Sequence, residues 1–217
     1  MTPGPAAVPD LAVEFELLAG GARYIVGVDE VGRGALAGPV AVGMVVIDRE
    51  VGEHPQGLRD SKLLAEPVRE QLAPRCREWV RFSAVGEATP AEIDEHGIMQ
   101  ALGLAGWRAL TALREAGAAL DEAALLLDGN FDYLNPVLER PMTLTTRVKA
   151  DMACASVAAA SVIAKVHRDR HMIELHGDLP GYGWASNKGY GSPAHLEAIT
   201  QLGPSAHHRL TWLHAAA

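Results

Sequence analysis

The sequence predicts an α/β fold in which a five-stranded mixed sheet is flanked by helices and followed by a helical C-terminal region. Short apolar segments rich in β-branched residues are bounded by glycines or charged residues, as buried strands are. Longer segments between them have helical character. Their order, early strands followed by helix, strand, strand and helix, favours one mixed sheet with helices on both faces.

The strands are predicted in chain order from apolar runs. Residues 23–30 (RYIVGVDE) and 40–47 (VAVGMVVI) have the composition of buried strands, and glycines occur repeatedly between them, over residues 32–38. Further strands are predicted at residues 80–88, 124–128 and 144–148. Helices are predicted at residues 11–18, 67–79, 91–119, 154–175 and 192–201. The alanine-rich stretch in the fourth of these helices would permit close packing against the sheet.

Length and composition bound the organisation of the chain. With 217 residues and 48% apolar residues, one substantial core is feasible. We expect an N-terminal extension over residues 1–20, disordered over its Pro-, Gly- and Ala-rich first ten residues, and one domain over residues 21–217. No apolar run approaches the roughly 20 residues of a bilayer span, and no secretory signal is visible. We therefore expect a cytoplasmic protein that does not bind membranes, with Cys76 and Cys154 as reduced thiols rather than a disulfide.

Charge is distributed unevenly along the chain. The net charge of −8 argues against a protein that coats nucleic acid electrostatically. However, residues 1–140 carry a balance of −10, whereas residues 141–217 carry +2 and seven of the nine histidines. A polyanion would therefore meet a weakly basic surface on the C-terminal part, unless the asymmetry is accidental.

Four carboxylates stand out because they lie at the ends of predicted strands. Asp29 and Glu30 end the first strand, Asp128 ends the fourth, and Asp151 lies between the fifth strand and the alanine-rich helix. Ligands in open α/β sheets gather at the carboxyl ends of strands, so these acids would meet if those strands are neighbours. Adjacent strand residues point to opposite faces. Asp29 and Glu30 can therefore share a site only if the strand bends, which Gly32 permits.

Such a cluster points to metal chemistry. Carboxylates repel one another, and burying them unpaired is costly. Oxygen ligands without a Cys or His set favour Mg²⁺ or Mn²⁺ over Zn²⁺, and two such ions suit in-line phosphoryl transfer. The alternative is that each acid is a helix cap or an ion-pair partner. That explanation suits any one of them better than all four together.

The glycine-rich loop at residues 32–38 (GRGALAG) invites comparison with a dinucleotide-binding loop. The third glycine comes one position late, and the next segment is predicted as strand rather than helix, so this alternative is disfavoured. Glycines here would instead permit a ligand to approach the backbone closely, and Arg33 would supply a charge for phosphate.

Several motifs together resemble the ribonuclease HII family. They are GVDEVGRGALAGPVAV at 27–42, DSK at 60–62, LLLDGN at 125–130, KADMACASVAAASVIAKVHRDR at 149–170, NKGYGSPAH at 187–195 and GPSAHHRLTW at 203–212. They span most of the chain in the family's order. The resemblance implies a ribonuclease H-like fold and a catalytic, metal-binding set of Asp29, Glu30, Asp128 and Asp151. Three departures, at Asn187, at Trp212 and in the segment after Asp151, remove none of these residues.

The resemblance also implies a substrate and a way of reading it. The expected substrates are RNA–DNA hybrids and DNA duplexes with embedded ribonucleotides, cut by a monomer on the 5′ side of the ribonucleotide with two Mg²⁺ or Mn²⁺ ions. The 2′-hydroxyl distinguishes RNA from DNA. The loop residues Gly32, Arg33 and Gly34, together with Tyr190, are expected to recognise the ribose. Ser61, Lys62 and Lys188 are expected phosphate contacts.

Two other functions stay open at this point. One is a different ribonuclease H-like nuclease, for which the glycine loop and Tyr190 would have no ribose to read. The other is a non-catalytic binding module, which four clustered acids disfavour because they repel a phosphate backbone. His167 and His171 have the spacing of a zinc pair but lack the glutamate of a metalloprotease motif, so a solvated helical face is expected. For His195, His207 and His208 we expect loop packing rather than proton transfer.

Overall fold

The computed structural model describes residues 8–213, and these contain the predicted five-stranded sheet. In chain order the strands are β1 (Tyr24–Val31), β2 (Val40–Ile47), β3 (Phe82–Ala88), β4 (Ala123–Asp128) and β5 (Thr143–Arg147). They lie in the order β3-β2-β1-β4-β5. β2 is antiparallel to β1 and β3, whereas β4 is parallel to β1 and β5. The carboxyl ends of β1 and β4 therefore lie side by side in the centre of the sheet.

The helices agree with the predicted ones to within a few residues and add short ones. They are α1 (Ala12–Ala19), α2 (Glu66–Trp79), α3 (Pro90–His96), α4 (Ile98–Glu115), α5 (Ala150–Ala153), α6 (Ala155–Asp178), α7 (Trp184–Asn187), α8 (Pro193–Leu202) and α9 (Leu210–Leu213). The single helical region expected over 91–119 divides at Gly97, whose φ of 77° is in the left-handed region that favours glycine. A short helix, α9, follows the helix predicted at 192–201.

The two faces of the sheet carry separate apolar cores. On one face, Val26 and Val28 of β1 pack with Leu102 and Leu110 of α4. On the other, Ile25 packs against the alanine-rich face of α6. This alternation follows from the period of two along a strand, and it confirms the prediction of helices on both faces.

Helix α6 lies unusually close to the sheet, as its alanines predicted. A Cβ at Gly27 of β1 would lie 2.5 Å from the carbonyl carbon of Ser156, and one at Gly43 of β2 would lie 2.6 Å from the carbonyl oxygen of Ala160. Both strand glycines are therefore required for the helix to approach. The close packing fixes the height at which polar residues of α6 reach the end of β1.

The N-terminal segment is more ordered than expected where it is described. The first seven residues of the segment predicted to be disordered lie outside the described residues. Asp10, by contrast, pairs with the body of the protein: its N–H donates to the Ala153 carbonyl at 3.0 Å, and its carbonyl accepts from the Ala155 N–H at 2.8 Å. Leu18 of α1 is buried in the core. The boundary predicted at residue 20 stays a prediction.

Both cysteines are unpaired and buried, as predicted, and burial raises the pKa of each thiol to about 12. Among the helices of residues 8–213, none combines the length and the hydropathy needed to cross a bilayer.

Candidate active site

The predicted acids lie at the adjoining ends of β1 and β4. Val28 is level with Leu127 in the parallel register, so Asp29 and Asp128, the next residues, come level as well. Asp151 lies in the first turn of α5, directly after β5. The sheet therefore gathers residues that are far apart in sequence, as the strand-end argument predicted.

Asp29 and Glu30 reach this edge from opposite faces of the sheet. β1 stays paired with β2 through Val31, so the expected bend falls after the two acids, at Gly32 with a φ of 82°, rather than between them. Asp29 lies on the α6 side, where burial raises its pKa and the neighbouring Ser161 hydroxyl offsets that rise only in part. Glu30 lies on the other side, 3.4 Å from the hydroxyl of the buried Tyr133.

Asp128 is oriented by backbone groups of the α5 turn. Its Oδ1 accepts from the Ala150 N–H at 2.7 Å and from the Asp151 N–H at 3.4 Å. Lys149, with a φ of 61°, makes the turn that points these N–H groups at the strand end. These hydrogen bonds hold Asp128 next to the α5 turn that carries Asp151.

Burial and mutual repulsion make Asp29, Glu30 and Asp128 reluctant to ionise. Burial raises the pKa of Asp29 well above its ordinary value, and the charges of Glu30 and Asp128 raise it further. Burial also raises the pKa of Glu30 and, together with the charge of Asp151, that of Asp128. A nearby cation would relieve this repulsion.

One cation within the chain already does so in part. Lys62 Nζ lies 3.2 Å from Asp151 Oδ2. Burial lowers the pKa of Lys62, but the charges of Asp29 and Asp151 outweigh that effect and raise it overall. Asp60, a buried acid that the sequence analysis did not single out, has its pKa raised by burial and by Asp151.

The donor set suits a hard divalent cation, because all four predicted ligands are carboxylates. Across residues 8–213 no three Asp, Glu, His or Cys side chains are already drawn together closely enough to hold an ion. Lys62, with a side chain that is 68% exposed, can leave Asp151 without unfolding its surroundings. The residues therefore fit such a metal in kind.

A cleft of about 230 Å³ adjoins the acids and contains most of the other predicted site residues. Its lining consists of Asp29, Glu30, Val31, Gly32, Arg33, Gly34, Ser61, Lys62, Lys165 and Tyr190. Lys188 is the exception: its buried amine pairs with Glu66 at 3.2 Å and also donates to the Ala185 carbonyl. The phosphate contact predicted for Lys188 therefore requires that this ion pair open.

Lys165 is a cleft residue that sequence analysis missed. Its Nζ lies 5.6 Å from the centre of the Tyr190 ring and donates to Asp169 Oδ1 at 2.6 Å. A signal was present, because Ser161 and Lys165 have the i, i+4 spacing of one helix face within the apolar first half of α6. Tyr133, the partner of Glu30, has no such signal.

His195 and His208 form a buried, uncharged support for the Tyr190 segment. Trp184 Nε1–H donates to His195 Nε2 at 3.0 Å, so the proton of His195 is on Nδ1, which donates to the Tyr190 carbonyl at 2.9 Å. The Ser205 N–H donates to His208 Nδ1 at 3.0 Å, which places the His208 proton on Nε2. Burial lowers the pKa of both imidazoles, that of His208 to about 4. Loop packing, the role predicted for them, is what these contacts describe.

His167 and His171 contact the same carboxylate, away from the acids. They lie 3.2 Å and 3.1 Å from the two oxygens of Glu87, beside a depression of about 570 Å³ that contains none of the predicted ligands. Burial raises the pKa of Glu87, but the hydrogen bonds of His167 and His171 outweigh it and lower the value to about 2. Only His167 is exposed as expected, since His171 is half-buried.

The sheet order and the flanking helices, with acids at the ends of β1 and β4, are those of the ribonuclease H-like class. The family model described as "Ribonuclease HII" matches residues 26–215. A ribonuclease HII of Streptomyces griseus is 47% identical over 212 residues, which cover 96% of this chain and 85% of that protein. Another, from Thermus thermophilus, is 48% identical over 185 residues, covering 85% and 84%. The crystal structure of ribonuclease H2 from Pyrococcus horikoshii matches with a TM-score of 0.66 and 29% identity, over 87% of this chain and 93% of that one.

The chain belongs to the ribonuclease HII family. It is a type 2 ribonuclease H, an endonuclease of the hydrolase class, and the predicted ribonuclease H-like fold is confirmed.

Proposed function

We propose that this enzyme hydrolyses the phosphodiester on the 5′ side of a ribonucleotide, both in RNA–DNA hybrids and in DNA duplexes with embedded ribonucleotides. The observation that carries the proposal is the shared cleft: Asp29 and Glu30 lie beside the glycine loop and Tyr190. The acids that would cleave the strand and the groups that would recognise the sugar therefore line one cleft. Ribonucleotide removal from DNA, by a cytoplasmic monomer, is the role that follows.

The acids Asp29, Glu30, Asp128 and Asp151 would hold two Mg²⁺ or Mn²⁺ ions. Such ions supply Lewis acidity at the phosphate and lower the pKa of the attacking water. The chain's own part is to hold and orient the ligands. Tyr133 positions Glu30, and the Ala150 N–H positions Asp128.

Recognition would come from the rest of the cleft. Gly32, Arg33 and Gly34 would contact the ribose 2′-hydroxyl, and the ring of Tyr190, which is 37% exposed, would pack against the following sugar. Lys62 can turn from Asp151 towards a phosphate, and Ser61 lies beside it in the cleft. Lys188 would join them once its pair with Glu66 opens.

End-group analysis of the products tests this proposal. The enzyme is incubated with Mg²⁺ or Mn²⁺ and a labelled DNA duplex that contains one ribonucleotide. An all-DNA duplex of the same sequence is the control. We expect one cut that leaves a 3′-hydroxyl upstream and a 5′-phosphate on the ribonucleotide, and no cut in the control or in EDTA. A histidine-based ribonuclease would instead activate the 2′-hydroxyl and leave a 2′,3′-cyclic phosphate. A cyclic end, or activity that persists in EDTA, contradicts the proposal.

A further inference from the structure

Two fully buried guanidinium groups, those of Arg168 and Arg209, lie beneath the glycine loop. Neither makes a salt bridge with a carboxylate in the described part of the chain. Burial of an unpaired charge is costly unless hydrogen bonds compensate it. Here the hydrogen bonds all go to backbone carbonyls of residues 32–39 and of Lys188, and the rings of Tyr190 and Trp212 lie against the two guanidiniums.

Arg209 determines which way the peptide groups of the loop face. It donates to the carbonyls of Gly32 at 2.7 Å, Arg33 at 2.9 Å and Gly38 at 3.1 Å. In a trans peptide the C=O and the following N–H point in opposite directions. With the first two carbonyls turned inward, the N–H groups of Arg33 and Gly34 point away from Arg209.

Those two N–H groups have no acceptor within residues 8–213. Both residues line the cleft beside the acids. Two successive N–H groups aimed in this way form a donor pair for an oxygen atom of a ligand. The 2′-oxygen of a ribose is such an acceptor, and a deoxyribose lacks it.

Arg168 ties the same loop to the tyrosine. It donates to Pro39 and Ala37 at 2.8 and 3.0 Å on the loop side, and to the carbonyl of Lys188 at 2.9 Å on the other. Its guanidinium carbon also lies 5.5 Å from the centre of the Tyr190 ring. One side chain thus fixes the spacing between the donor pair and the ring.

The arrangement has a cost in stability. Burial, together with the charge of Arg168, lowers the pKa of Arg209 to about 9. Two like charges are therefore kept in one buried layer, where apolar side chains of similar volume would be cheaper. Their contacts with the cleft backbone give a functional reason for keeping them.

We infer that Arg168 and Arg209 are positioning residues that set the enzyme's preference for ribose over deoxyribose. The inference rests on the proposed function. Neither guanidinium touches substrate in this arrangement. Each acts through the backbone or the ring that it holds.

The test is a binding measurement on the full chain carrying Asp128→Asn, so that nothing is cut. Affinities are measured for a duplex with one ribonucleotide and for the same duplex in DNA alone. Arg209→Lys and Arg168→Lys keep the charge but lose the planar fork. Arg170→Lys is the matched control, since Arg170 lies on the same helix but is exposed and pairs with Glu70.

We expect the ribose-to-deoxyribose affinity ratio to fall by about tenfold in either positioning variant, the size of one lost charged hydrogen bond, and to stay unchanged in the control. A purely structural role would weaken both affinities in parallel and leave the ratio intact, which would overturn the inference alone. A parent without any ribose preference would overturn the proposed function as well.

Hydrogen exchange on the same Asp128→Asn chain, with both arginines left in place, provides a second test that needs no buried substitution. The Arg33 and Gly34 amides should be protected by the ribonucleotide duplex and much less by the all-DNA duplex. Equal protection by both, or by neither, counts against the inference whether or not the lysine variants fold.

Discussion

The acid edge (Asp29, Glu30, Asp128 and Asp151) and the arginine layer beneath the glycine loop (Arg168 and Arg209) accommodate like charges in opposite ways. Both concentrate like charges where water is scarce. At the acid edge Asp29 and Glu30 line the cleft. Burial and the neighbouring acids raise the pKa values of Asp29, Glu30 and Asp128, and two exposed cations, Lys62 and Arg33, partly compensate them. Under the loop, Arg168 and Arg209 donate to backbone carbonyls, which are fixed parts of the chain. The first region suits the cation that we propose for it, whereas the second fixes the conformation of the loop.

The largest effect expected at the acid edge comes from Asp128→Asn. Cleavage should fall by more than about 100-fold, since even an outer-shell partner of a metal is worth about 10–100-fold. The metal-free fold should be unchanged or more stable, because a carboxylate whose pKa is raised by burial and by Asp151 has been neutralised. Cleavage assays and urea unfolding in EDTA measure the two effects.

Asp121→Asn is the matched control for that variant. Asp121 is exposed and lies at the opposite end of β4, in the turn that precedes the strand. It should cut at the wild-type rate. Full activity in Asp128→Asn would contradict the proposed role of Asp128 as a metal ligand.

The two regions also differ in how far they could be predicted from sequence. Asp29 and Asp128 were found because a carboxylate that ends an apolar strand is conspicuous, and parallel pairing brings strand ends together. Arg168 was not found. In a His-Arg-Asp-Arg stretch it resembles a solvated helical face, and its partners are carbonyls some 130 positions away in sequence. Backbone acceptors carry no residue signature, so nothing in the pattern identifies them.

The glycine loop offers the next largest effect. A Cβ at Gly32 would lie 2.1 Å from Arg168 Nε, at a φ of 82°. Gly32→Ala should therefore cost about 2–5 kcal/mol of unfolding free energy, from the left-handed backbone and from overpacking. It should also abolish the ribose preference. Urea unfolding and the paired binding measurement would detect both.

Gly34→Ala separates packing from recognition. A Cβ at Gly34 meets nothing within 4 Å, so stability should change by less than about 0.5 kcal/mol. Cleavage should still fall, because the added methyl group stands where the sugar approaches the loop. If Gly34→Ala cuts normally, the glycines serve the arginine layer and not the ligand.

The smallest effect concerns His208, a buried ionisable residue of the loop region. His208 is buried, and burial lowers its pKa to about 4, whereas an unfolded chain takes up the proton near pH 6.5. At neutral pH the imidazole is uncharged in both states. As the pH falls below about 6.5, the unfolded state binds the proton first, so the free energy of unfolding decreases until the folded state is protonated as well. Between about pH 7.5 and about pH 5 the loss should be about 2 kcal/mol at most.

His208→Gln isolates this contribution. Other groups titrate over the same range, so the quantity to compare is the change in unfolding free energy between the two pH values, in the wild type and in the variant. The variant should be less stable at neutral pH, because its contacts with Ser205 and His195 are lost, yet it should lose less on acidification. An equal loss in both proteins would mean that His208 is protonated without cost. In that case positive charge is tolerated beneath the loop without the carbonyl acceptors that Arg168 and Arg209 have, and the contrast with the acid edge would need another explanation.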